Sequence, residues 1–375
     1  MKSKIFFSLL CVFLLNSVTQ LFAQNANQNQ SKIQVALLLD TSNSMDGLID
    51  QAKSQLWSIV NELATARYAG MRPTLEIALY EYGNDRLSSE GGYIRQVSEL
   101  TTDLDKISEA LFALKTNGGS EYCGMVIDNA SVQLNWSASN SDLKMIFIAG
   151  NEEFTQGNVL YSVSCKNAIT KGIVVNTIFC GSLQEGINTK WKDGADLTDG
   201  KYINIDQNQV VVDIETPFDA DIIKLNSELN KTYIAYGSGG MDKKARQEVQ
   251  DNNAYGESST VSVNRAVSKS SGAYVNSNWD LVDAVEDDKS ALAKLDKEEL
   301  PEEMKNMTDK EKEYFLKQKK DERQTIQNKI VTLNKKREDF INEKRKENSE
   351  NSSLGSALIQ TVREQAEEKN YKFEK

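Results

Sequence analysis

Hydrophobic and polar positions recur along this chain with two different periods. Residues Ile33 to Leu39 (IQVALLL) form an almost unbroken apolar run ending on Asp40, the pattern of a strand covered on both faces. Residues 48–66 instead repeat apolar side chains at Leu48, Ala52, Leu56, Ile59, Val60 and Leu63, a stripe along one side of a helix. The alternation continues with a strand at 75–82 (LEIALYEY), helices at 103–114 and 122–134, and a strand at 143–149 (LKMIFIA). A helix at 158–171, a strand at 173–180 (IVVNTIFC) and a short strand at 202–205 (YINI) follow. Strands alternating with helices over about 180 residues predict an open, mostly parallel, Rossmann-like α/β sheet flanked by helices.

Beyond that sheet the pattern changes. Val210, Val211 and Val212 are strand-like, and Pro217 opens a helical segment with Ile222, Ile223, Leu225, Leu229 and Tyr233 facing the sheet. The run GSGG at 237–240 closes it, and residues 243–258, with few apolar positions, predict a surface helix. Past Asn276 the chain reads as helix almost throughout. Ile326, Ile330, Leu333 and Phe340 are compatible with a heptad seam that Arg337 interrupts. That pattern fits a coiled-coil hairpin folded on itself or on the α/β domain, a single solvated helix, or self-association through the seam. A loop at 348–353 precedes a last amphipathic helix, with Tyr371 and Phe373 expected to be docked.

Charge separates the two halves. The tail from 286 carries 22 acidic and 21 basic residues, whereas 24–285 carries 33 against 21. The expected layout is a signal peptide at 1–23, a disordered lead-in at 24–32 and an α/β domain at 33–240. A helical connector at 241–285 and a charged helical tail at 286–375 complete it, the tail being expected to be dispensable for folding. The leader is read from two lysines, an apolar run from Ile5 to Leu15 and a small residue at Ala23, which predict cleavage near Ala23 and a secreted or periplasmic protein. No later segment approaches the length of apolar chain needed to span a bilayer.

Composition narrows the chemistry. The net charge of -11 supplies no basic footprint for nucleic acid. The chain has no histidine, which removes histidine-based nucleophile activation and histidine-ligated zinc. Of four cysteines, Cys11 lies in the leader; Cys123, Cys165 and Cys180 are either free thiols or include one disulfide.

Three polar clusters fall where the strands should end: Asp40-Thr41-Ser42-Asn43-Ser44, Gly118-Gly119-Ser120-Glu121 and Gly150-Asn151-Glu152-Glu153. Their carboxylate and hydroxyl oxygens suit hard cations. Asp40, Ser42 and Ser44 can instead form a turn and cap the following helix, Ser120 can cap the next one, and Glu121 reads as a first-turn acid favoured by the helix dipole. Asp40, Ser42 and Ser44, placed after the first strand, resemble the D-x-S-x-S motif of the von Willebrand factor A (VWA) domain family and its metal-ion-dependent adhesion site. Ser120 matches that family's threonine. Its aspartate after the fourth strand is absent, since Gly150 stands there, and Asn151 or Glu152 would have to reach the same centre. Segments 147–157, 174–181 and 216–237 also resemble a group of secreted bacterial proteins in which this domain precedes a charged helical tail.

The resemblance implies metal ligands Asp40, Ser42, Ser44, Ser120 and Glu152 around Mg²⁺, or Mn²⁺ or Ca²⁺. It implies a non-enzymatic adhesion module that engages an extracytoplasmic protein or glycan through a partner carboxylate. A structural scaffold with a degenerate metal site is the alternative, and a metal-assisted hydrolase a more distant one.

Overall fold

In the computed structural model, which describes residues 30–205, 214–348 and 354–374, the apolar run after Ser31 becomes the central strand β1 (Lys32–Asp40). The other strands are β2 (Ala66–Tyr68), β3 (Thr74–Tyr82), β4 (Ile94–Thr101), β5 (Leu143–Gly150), β6 (Val174–Cys180) and β7 (Tyr202–Ile205). Six of them form one sheet in the order β4-β3-β1-β5-β6-β7, parallel throughout except for the β3/β4 pair. The chain builds outward from β1 to β4, then returns to the other side of β1 and proceeds to β7. The order therefore reverses between β1 and β5, and a crevice opens beyond their carboxyl ends, at Asp40 and Gly150.

Both faces of the sheet are covered, which is why its strands lack alternation. Ile33, Val35 and Leu39 pack with Trp57, Val60 and Leu63 of helix Asp46–Ala64 and with Ile107 and Leu111 of helix Leu104–Phe112. On the other face Ala36 and Leu38 join Val126 and Ile127 of helix Cys123–Gln133, Cys165 and Ala168 of helix Tyr161–Thr170, and Trp191. Cys123, Cys165 and Cys180 are all buried free thiols.

The second half of the chain wraps the first of these faces. Helix Gly240–Glu257 lies at the surface as expected, and docks through a narrow face whose buried polar groups find partners. Gln250 accepts a 2.9 Å hydrogen bond from Ser108, and Gln247 donates to Tyr274 at 3.0 Å. Arg265, fully buried in helix Ser259–Lys269, donates to Asp105 at 2.8 Å, pairs with Asp251 and lies 4.8 Å from the Trp57 ring centre.

Helix Asp309–Asn348 runs against helices Asp219–Asn230, Ser259–Lys269 and Leu281–Asp287, so its seam is spent inside the molecule. Ile326 and Ile330 belong to the same buried cluster as Ile33 and Trp57. Arg337 does not simply interrupt that seam; it is itself buried and donates to Asp219 at 3.0 Å. Arg323 donates to Asp280 at 2.7 Å and to Asp283 at 2.6 Å, with its guanidinium 4.1 Å from the Tyr233 ring centre. Helix Leu354–Glu368 lies on helix Asp46–Ala64, and Gln365 exchanges two hydrogen bonds with buried Asn176, at 2.7 and 3.0 Å.

That last helix stops earlier than its pattern suggests. Asn370, at φ 65°, turns the chain into β8 (Tyr371–Phe373), which pairs antiparallel with β2. Tyr371 is buried there and donates to the carbonyl of Lys32 at 2.9 Å. No described helix is long and apolar enough to cross a membrane. The expected leader, the lead-in up to residue 29, Val210–Val212 and the loop at 349–353 lie outside the described residues.

Candidate metal site at the strand ends

Asp40 is the last residue of β1 and is fully buried between Tyr82 of β3 and the end of β5. Immediately after it the chain turns back on itself: the Ser42 amide donates to Asp40 Oδ1 at 2.8 Å, and the Thr41 amide to the Tyr82 carbonyl at 2.9 Å. A short 3₁₀ turn, Asn43–Met45, leads into helix Asp46–Ala64, whose N-cap residue is Met45 and which has no side-chain cap. Ser42 and Ser44 are therefore not consumed as caps. Their hydroxyl oxygens lie 3.3 Å apart, and Asn151, just past β5, donates to Ser44 Oγ at 3.1 Å. The first and third polar clusters thus meet.

The second cluster is held against them by backbone contact. A Cβ added to Gly119 would stand 2.4 Å from the Gly83 carbonyl oxygen, so only glycine permits this approach. The Asn117 amide also donates to the Thr41 carbonyl at 2.9 Å. The residue this loop delivers to Asp40 is Glu121. A Cβ on Gly83, where φ is +75°, would lie 2.7 Å from Asp40 Oδ1 and 2.9 Å from Glu121 Cγ. Both acidic side chains crowd the same point above Gly83, where the Ser42 amide also reaches Asp40 Oδ1.

The remaining expected ligands are placed less favourably. Ser120 is half-buried in the same loop, and among the described residues no hydrogen bond ties it to Asp40, Ser42 or Ser44. It does not cap the next helix, which begins at Cys123 after Tyr122. Glu152 has an exposed side chain, while its carbonyl accepts a 2.7 Å hydrogen bond from the Trp191 indole. Its charge nevertheless reaches both Asp40 and Glu121. At Gly150 a Cβ would stand 2.7 Å from the Tyr82 hydroxyl, 3.1 Å from Trp191 Cη2 and 3.2 Å from Asp40 Oδ2. The position of the missing aspartate is filled by an aromatic pair, and Tyr82 is fixed there by donating to the Ala149 carbonyl at 2.9 Å.

The electrostatics follow from this enclosure. Burial, reinforced by the charges of Glu121 and Glu152 and opposed by the Ser42 hydrogen bonds, pushes the Asp40 carboxyl up to about 8. Burial and then Glu152 raise Glu121 to about 7. Asp40 Oδ2 is buried and has no hydrogen-bond partner among the described residues. Asp40 thus carries one orphaned oxygen, Oδ2, on the Gly150 side, while its Oδ1 lies beside Ser42 and Glu121. A hard divalent cation fits such a carboxylate, since the ion satisfies the oxygen and offsets the charge. No three of His, Cys, Asp and Glu converge among the described residues, so hydroxyl and amide oxygens would have to complete the coordination.

No family model matches the sequence, and no curated protein does. Several solved structures are similar to part of the chain. The conserved hypothetical protein BatB from Bacteroides thetaiotaomicron is 15% identical, over 46% of this chain and 90% of its own, with a TM-score of 0.36. The SpRpn10 VWA domain is 15% identical, over 48% of this chain and 100% of its own, with a TM-score of 0.36. Proximal thread matrix protein 1 from the mussel byssus, solved with a zinc occupied MIDAS motif, is 13% identical over 48% of this chain and 43% of its own, with a TM-score of 0.35.

Proposed function

We propose that this chain is a non-catalytic binding module that holds a divalent cation beyond the carboxyl ends of β1 and β5. The observation that carries the reading is the fully buried Asp40, whose Oδ2 lacks a partner among the described residues, in a turn that ties Ser42 to its Oδ1 and brings the Ser42 and Ser44 hydroxyls together. Asp40 supplies the buried negative charge, Ser42 and Ser44 supply neutral oxygens, and Asn151 orients the Ser44 hydroxyl. All are hard donors, which favours Mg²⁺, Mn²⁺ or Ca²⁺ over softer metals. When bound, such an ion would let the site accept a carboxylate of a partner protein or glycan. The leader-like order of residues 1–23 supports a partner met outside the cytoplasm.

A scaffold that keeps the fold without the ion is the rival, favoured by Tyr82 and Trp191 standing where another carboxylate would project. Titration of the purified protein with Mg²⁺ and Mn²⁺ by calorimetry separates the two. The binding reading expects saturable heat, lost in Asp40→Asn and weakened in Ser44→Ala. No heat and no thermal shift at millimolar metal overturns it in favour of the scaffold.

A further inference from the structure

Arginines accompany most of the other buried acids of this chain. Glu81 is paired with Arg95, Asp105 with Arg265, Asp219 with Arg337 and Asp280 with Arg323. Asp142 accepts the Lys32 amide and lies near the charge of Lys144. Asp40 and Glu121 differ from all of these. They are buried side by side, and among the described residues no lysine or arginine pairs with either. Placing two carboxylates out of water without a counter-cation is costly, and the cost is avoided only by a cation or by protons.

We infer that Glu121 is the second carboxylate ligand of the strand-end site, replacing from the Gly118–Glu121 loop the charge that Gly150 does not provide. This rests on the cation reading above and adds its missing ligand. Three observations support it independently of any motif. The Glu121 side chain reaches the same point above Gly83 as Asp40 Oδ1. Its helix-dipole role is weakened because the helix starts at Cys123, leaving Glu121 outside the first turn. The other oxygen of Asp40, Oδ2, is buried and has no hydrogen-bond partner among the described residues, so Asp40 keeps an unmet need for a cation or a proton. Asp40 and Glu121 together match the charge of a dication, whereas Glu152 stays in solvent and adds only a distant field.

The test is Mn²⁺ titration of the purified protein and of Glu121→Gln, Glu121→Asp and Glu152→Gln, with thermal unfolding in EDTA as the check on folding. Glu121→Gln should bind about tenfold more weakly or worse, Glu121→Asp should fall between it and wild type, and Glu152→Gln should change affinity little. Equal affinity of wild type and Glu121→Gln overturns the assignment while leaving the cation itself in place. Equal weakening in Glu121→Asp and Glu121→Gln also overturns it, because packing and not charge would then be at stake. Absence of Mn²⁺ binding by wild type removes the cation reading and this inference with it.

Discussion

Gly150 lies at the end of β5 with the Tyr82 hydroxyl, the Trp191 ring and Asp40 Oδ2 gathered around its Cα. Because Tyr82 is buried and tied to the Ala149 carbonyl, it has nowhere to retreat. Gly150→Ala should therefore cost about 1–3 kcal/mol through overpacking, measured as a lower urea midpoint at unchanged slope. The same crowding explains what the sequence revealed of the site and what it hid. Asp40, Ser42 and Ser44 are legible because three ligand-type residues at fixed spacing after a strand need only local geometry to converge. Glu121 was not legible, since its role depends on where the next helix begins, and a shift of two residues separates a first-turn acid from a neighbour of Asp40. Asn151 and Glu152 are adjacent, and spacing alone does not separate them; the turn after β5 gives the hydrogen bond to Asn151 and leaves Glu152 exposed.

Among the elements, helix Asp309–Asn348 is anchored by a buried arginine as well as by its apolar seam. Arg323 holds Asp280, Asp283 and the Thr232 carbonyl while covering Tyr233. Arg323→Ala strands two neighbouring carboxylates in a buried site and should cost about 3–5 kcal/mol in chemical denaturation at neutral pH. Burial, then the charge of Asp280, raises the Asp283 carboxyl to about 7 against the pull of Arg323. Its unfolded value is about 4, so the folded state holds the proton more tightly. That contribution is complete below about pH 4 and is lost as the pH rises through about 7. Asp283→Asn should flatten this loss, seen as a smaller fall in Tm between pH 5 and pH 8 than in wild type. Such anchors are invisible to periodicity, which reads Arg337 as a defect and gives no sign of the docked face of residues 243–258. Arg337, and Gln247 within that surface helix, are buried through charge and amide pairing, which carries no hydrophobic signature. The edge strand β4 escaped for a related reason: its sequence IRQVSELT is too polar to read as core.

At the scale of the molecule, the alternation of strands and helices was enough to recover the parallel sheet, but the expected division at residue 286 does not follow the packing. Ile326, Ile330, Leu358, Val362, Ala366 and Tyr371 share one buried cluster with Ile33, Val35 and Trp57. Charge density made the tail look separable, because a helix with many solvated charges still docks through a narrow stripe. A fragment covering 24–285 should consequently lose cooperative urea unfolding that the intact protein retains, as followed by circular dichroism. The β2–β8 ladder carries this dependence further, into time. Tyr371 seals β1 through a hydrogen bond to Lys32 that spans 339 residues of sequence. During synthesis the ribosome must release nearly all of the described chain before that contact can close. Until then one face of the sheet lacks part of its cover and is open to aggregation or to chaperones.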